Sequence, residues 1–157
     1  MAGSPGFVYR VRLDGTGIRK ALEQTILALW GVSPDGRWIG AWASLPGNGP
    51  PSSQAFPLDG NPPIALGWVP FGWSKPGWQP RGMELVPLFS KWTYTLPLAP
   101  GQILPPIPPG GFHSDDQIAS LPGARRGPPW PVAFGPGDVY AYYRESIQRN
   151  LYRIPIP

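Results

Sequence analysis

The sequence predicts an all-β chain of short antiparallel strands joined by tight turns. Three observations carry that expectation. The 157 residues include 25 Pro and 21 Gly, so few windows of a dozen residues escape a helix breaker and long helices are excluded. Against that, 8 Trp, 6 Tyr and 6 Phe with only 14% charged residues provide apolar bulk that disordered Pro- and Gly-rich chains lack. Finally, two turn signals recur along the chain at a spacing near 40 residues, a period typical of repeat architectures.

The first turn signal is a strand followed by Asp-Gly. Residues 9–16 alternate and end in Asp14-Gly15-Thr16, and residues 55–61 end in Asp59-Gly60-Asn61. Residues 94–101 end at Gly101, and residues 152–156 resemble the same strand without its turn. The second signal lies between these, as Trp30-Gly31-Val32-Ser33-Pro34-Asp35-Gly36-Arg37-Trp38. Here Pro presets φ at the first central turn position, Asp bonds back to the backbone, and Gly accepts positive φ. Residues 71–78 repeat it with Pro76-Gly77 at the turn, and residues 132–140 form a weaker third copy. Two interleaved hairpin signals at this period are those of a four-stranded propeller blade.

Residues 1–157 are therefore expected to form one segment of a partial β-propeller of about three four-stranded antiparallel blades. Residues 7–22 supply two strands of one blade, 26–66 a complete blade, 69–107 a second, and 131–157 most of a last one. A Pro-rich connector with one short helix occupies 108–130. Within 18–30, Ile18, Leu22, Ile26 and Leu29 also fall at helical spacing, but the place of this stretch in the repeat favours strand. Residues 76–90 carry three prolines, which predicts an irregular second strand for the 69–107 blade. Ser114-Asp115-Asp116-Gln117 fits a capping box that opens the short helix, and residues 104–112 read as a polyproline-like link.

Several chemistries are excluded or unsupported. There is no Cys, and His113 is the single histidine, so metal sites built on Cys or His clusters have no ligands within one chain. No nucleophile elbow accompanies His113, which reads as a loop residue before the helix cap. Asp115 and Asp116 are explained by the helix start, and Gly15-Thr16-Gly17 is a turn rather than a nucleotide cradle. No cofactor is expected. The net charge of +4 comes from ten Arg and three Lys spread along the chain, without the basic patch that nucleic-acid binding requires. No apolar run approaches the length of a membrane span, and the first ten residues carry no signal-peptide pattern. Arg125 to Pro131 contain the spacing of a polyproline ligand but read as a loop. Trp30, Trp38, Trp42, Trp68, Trp73 and Trp78 gather around the turn motifs, where packing between sheets is their first role and an aromatic ligand surface the second.

Ser33-Pro34-Asp35-Gly36-Arg37-Trp38, with Trp30-Gly31-Val32 before it and the Leu-Asp-Gly turns about two dozen residues away, resembles the TolB-type, WD40-like β-propeller repeats of bacteria. Val139 to Pro157 resemble the last blade of large bacterial proteins carrying such repeats. The clear likeness spans 30–66 and 138–157, and the second copy departs from it with Lys75-Pro76-Gly77 in place of Pro-Asp-Gly. The resemblance implies a non-catalytic binding scaffold in an extracytoplasmic or periplasmic protein with a kinase-linked or transport-linked module. Its partner would be another protein or the remaining blades of a longer propeller. The alternative is the propeller domain of a prolyl-oligopeptidase-like hydrolase. The repeat turns to be placed are Asp14 and Gly15; Ser33, Pro34, Asp35, Gly36 and Trp38; Asp59 and Gly60; and Pro76 and Gly77. Three blades fall short of the roughly 4–8 that close a ring, so open sheet edges and self-association are expected.

Overall fold

The computed structural model describes residues 4–44, 49–73, 82–129, 132–134 and 140–142. Twelve strands and one helix follow one another among them. A first hairpin pairs β1 (Tyr9–Arg10) with β2 (Arg19–Lys20). The next four strands, β3 (Ala28–Val32), β4 (Trp38–Ala43), β5 (Ser52–Pro57) and β6 (Ile64–Gly67), form one antiparallel sheet in chain order. A second antiparallel sheet is built in the same order from β7 (Phe71–Trp73), β8 (Gly82–Leu85), β9 (Thr93–Pro97) and β10 (Arg125–Gly127). Helix α1 (Asp115–Ala119) lies between β9 and β10, and β11 (Val132–Phe134) pairs with β12 (Tyr140–Tyr142). The molecule is thus mostly β, with antiparallel pairing throughout its named strands, and no ring of sheets closes among the described residues.

The first four-stranded sheet is covered on both faces. Strand alternation sends Ile39, Ala41 and Ala43 to one side, where they meet Phe56, Leu22 and Ile26. Trp38 and Ala55 point the other way, into a larger core with Phe71, Met83, Leu85, Tyr94 and Leu96 of the second sheet. Phe112 and Ile118 close that core from the helical segment. The two sheets come close at Gly40, where an added Cβ would lie 2.9 Å from two carbons of the Phe71 ring.

Residues 18–30 form no helix: 19–20 and 28–30 are strand, and Ile26 makes an isolated bridge to Gly6. Leu22 and Ile26 are buried while Ile18 and Leu29 are 68% and 53% exposed, so the four positions do not share one face. Two expectations need correction. The second sheet draws its fourth strand not from 69–107 but from Arg125–Gly127, inside the stretch expected to be connector and loop. The prolines at 105–109 cannot extend a ladder. The chain instead runs along β6, forms a parallel bridge between Gly67 and Phe112, turns through α1 and returns beside β9. The second strand of this sheet is also regular, because Gly82–Leu85 fits between Pro80 and Pro87 and pairs on both sides.

Helix α1 begins as its sequence requires. Ser114 Oγ accepts from Gln117 N at 3.4 Å, and Gln117 Oε1 accepts from Ser114 N at 3.3 Å. No helix among the described residues is long and apolar enough to cross a membrane.

Candidate functional site

The three Asp-Gly turns share one local device. In each, the aspartate side chain accepts from the backbone N–H two residues on: Thr16 to Asp14 at 2.9 Å, Arg37 to Asp35 at 3.0 Å, and Asn61 to Asp59 at 3.1 Å. The following glycine supplies positive φ, 81° at Gly15, 69° at Gly36 and 88° at Gly60. The bond each carboxylate accepts favours its charged form, so all three titrate below their ordinary value. Side-chain donors lead at two of them, the Thr16 hydroxyl for Asp14 and the Ser33 hydroxyl for Asp35, while the Asn61 backbone N–H leads for Asp59.

Ser33 ties the second turn together. Its hydroxyl donates to Asp35 Oδ1 at 2.5 Å and accepts from Trp38 N at 2.9 Å, while Gly36 N closes the turn on Ser33 O at 2.8 Å around Pro34. Leu58 N donates to Arg37 O at 2.8 Å, which brings the Asp35 and Asp59 turns to the same end of the first sheet. Asp14 and Gly15 lie apart, at the tip of the first hairpin. Pro76 and Gly77 fall outside the described residues. These turns build the sheets.

A concavity does open at the junction of the two four-stranded sheets. It has a volume of about 800 Å³ and is lined by Trp30, Phe71, Glu84, Leu88, Lys91 and Trp92, with Pro70, Pro87 and Pro129 completing an apolar wall. Volume and lining fall within the range of small-molecule sites. Trp30 is placed by a local irregularity and the loop residues by backbone bonds. Pairing slips by one between Leu29 and Gly31, which leaves Trp30 as the extra residue of a β-bulge and re-aims its ring. Val86 N bonds to Pro70 O at 2.8 Å and Leu88 N to Trp68 O at 2.9 Å, folding the loop after β8 against the start of β7. Ser90 Oγ accepts from Trp92 N at 2.9 Å and sets the entry to β9.

Glu84 is the acidic group of this wall. Met83 and Leu85 on either side point into the core, so alternation turns Glu84 to the opposite face. Its neighbours across the ladder are Gly72 and Thr95, which offer neither bulk nor charge. Glu84 makes no hydrogen bond and no ion pair among the described residues, and burial pushes its carboxyl above the usual range. Two cations already sit over the Trp92 ring, Lys91 Nζ at 5.3 Å and the Arg126 guanidinium at 5.5 Å from its centroid.

Trp30 and Trp92 both line this wall and pack on the core. Trp38 and Trp73 pack on the core, and Trp73 Nε1 donates to Ile103 O at 2.8 Å. Trp30, Trp42 and Trp68 form an edge-to-face series with centroid spacings of 6.4 and 5.8 Å, running from the cavity to an exposed Trp68. Trp78 lies outside the described residues. Glu84, Lys91 and Trp92 were not singled out by sequence reasoning. The available signal was a lone carboxylate in an apolar strand, Met83-Glu84-Leu85-Val86.

His113 is exposed, and its backbone N–H donates to Gln117 Oε1 at 2.6 Å. Among the described residues no three His, Cys, Asp or Glu side chains gather to hold a metal ion. Compared with known proteins, the chain matches no family model, no curated protein and no solved structure.

Proposed function

We propose that the chain is a non-catalytic propeller segment, a run of TolB-type blades that works as a rigid platform for binding a protein or a ligand. The observation that carries this reading is the succession of two four-stranded antiparallel meanders, each in chain order, whose first strands begin at Ala28 and Phe71. Their spacing suits a blade repeat, and the sheets pack face to face across one core, as neighbouring blades do. The hairpin β1–β2 then corresponds to the outer half of a preceding blade and β11–β12 to the inner half of a following one. A complete ring on this reading needs further blades, from more of the same polypeptide or from other copies. An extracytoplasmic setting and a kinase-linked or transport-linked parent belong to the same proposal.

Light scattering on the purified chain tests it. Open blade faces predict self-association, and a monodisperse monomer would overturn the partial-propeller reading. The second reading, a propeller attached to a prolyl-oligopeptidase-like catalytic domain, shares the same sheets. It is distinguished by reading the genomic frame on both sides of these 157 residues for a hydrolase domain.

A further inference from the structure

We infer that the cavity beside Glu84 binds a small organic cation, an ammonium or guanidinium group carried on an apolar body. The inference rests on the binding-platform reading above and names the ligand class of that platform.

Three features converge on this chemistry. The wall is aromatic and aliphatic, with Trp30, Phe71 and Trp92 around a space of about 800 Å³, so it rewards an apolar body. Tryptophan faces attract cations through the ring quadrupole, and Trp92 already draws Lys91 and Arg126 to within 5.3 and 5.5 Å. Glu84 places in the same wall a half-buried carboxylate with no hydrogen bond or ion pair among the described residues, and a partly desolvated charge of this kind is stabilised by an opposite charge that reaches it. A neutral ligand would strip further water from Glu84 and return nothing. An anion would meet the same carboxylate at close range.

The remaining charges around the site set the expected size of the effect. Lys91 lines the cavity and competes with a bound cation. Arg125 stands in the same cross-strand row as Glu84, beyond Thr95. Two strand spacings put it about 10 Å away, close to the screening length at physiological salt. Arg126 takes the other sense of alternation, over Tyr94 and over the Trp92 ring of the cavity wall, so it competes with a bound cation as Lys91 does.

The test titrates the full chain with phenethylammonium, following tryptophan fluorescence and calorimetry, beside its neutral analogue 2-phenylethanol and the anion 3-phenylpropionate. The cation is expected to bind about tenfold or more tightly than the alcohol, and the anion more weakly still. Glu84→Gln should reduce cation affinity by a similar factor and remove its rise with pH, while Lys91→Met should tighten binding. A blocked Phe-Lys dipeptide separates the two sources of such a cation: tighter binding than the amine points to a partner's side chain, weaker binding to a free metabolite. Equal binding of amine and alcohol, an unchanged affinity in Glu84→Gln, or no binding at millimolar amine would overturn the inference. The association state is measured separately, so a negative titration of an associated chain removes the ligand class and leaves the propeller reading standing.

Discussion

Replacing Gly40 by alanine probes the contact that joins the two four-stranded sheets. Its added methyl would sit 2.9 Å from Cε2 and Cζ of Phe71 and 3.3 Å from Cζ3 of Trp73. Carbon atoms rest at roughly 3.5–4.0 Å, so the Phe71 ring must retreat by something on the order of 0.6–1 Å. Little room exists for that. Phe71 is 4% exposed and meets the Trp73 ring edge-on at 5.2 Å, and Trp73 is itself held by its bond to Ile103 O. Overpacking of this kind costs about 1–3 kcal/mol. The gain from removing a strand glycine returns about 0.5–1 kcal/mol, so the net expectation is a loss of about 0–2.5 kcal/mol. Gly31 is the control, because it is the cross-strand partner of Gly40 and an added Cβ there meets nothing within 4 Å. Gly31→Ala should be neutral or slightly stabilising. Urea unfolding followed by tryptophan fluorescence reads both as shifts in midpoint at unchanged slope. Phe71→Leu in the Gly40→Ala background should recover part of the loss, with a coupling of about 0.5 kcal/mol or more. Equal midpoints for Gly40→Ala and Gly31→Ala would refute the packing argument, since the two differ mainly in what the new methyl touches.

Other expectations follow from the turns, the helix and Glu84. Asp14, Asp35 and Asp59 titrate below their ordinary value in the folded chain. The stability they contribute is therefore present at neutral pH and lost as pH falls through the carboxylate range, and the triple Asp→Asn variant should show a flatter acid limb in urea midpoint against pH. Ser114→Ala removes the acceptor for Gln117 N and should cost about 1 kcal/mol, read by the same unfolding assay. Glu84 carries the opposite sign, because burial raises its value. Its favourable contribution is complete below the unfolded value and disappears as pH rises through the folded one, so Glu84→Gln should be more stable than the parent at neutral pH and equal to it in acid.

What could be read from the chain follows how local each cause is. An Asp-Gly turn needs one acceptor and one residue with positive φ, both present in the tripeptide, and Asp14, Asp35 and Asp59 all close as expected. The helix cap is equally local, since Ser114 and Gln117 are three residues apart. Strand β8 was obscured because a window over 76–90 mixes its four residues with prolines that lie outside it. Strand β10 had no local signal. It is three residues long, two of them arginines, and is specified by Arg126 lying opposite Tyr94, more than 30 residues earlier. The cavity was harder still, because its wall joins residues from three strands and a loop whose meeting depends on how one sheet stacks on the other.

That wall also bears on why the cavity exists. A sheet packed on both faces would place an apolar residue where Glu84 stands, as the core face has at Met83 and Leu85, and a regular ladder would carry no bulge at Trp30. The core does not need the carboxylate, which faces away from it. The bulge spends ladder regularity to turn an indole toward the space, and the carboxylate is held in surroundings that disfavour its charge. Gly72 opposite Glu84 withholds the side chain that would have filled the gap, and nothing lies within 4 Å of where its Cβ would be. Three separate departures from what the sheet prefers converge on one volume. Trp30 also serves the fold, since its Nε1 donates to Ser53 Oγ at 3.3 Å and its ring packs on the core, so the departures that call for the proposed occupant are the carboxylate and the glycine opposite it, and the charge sets the sign of that occupant.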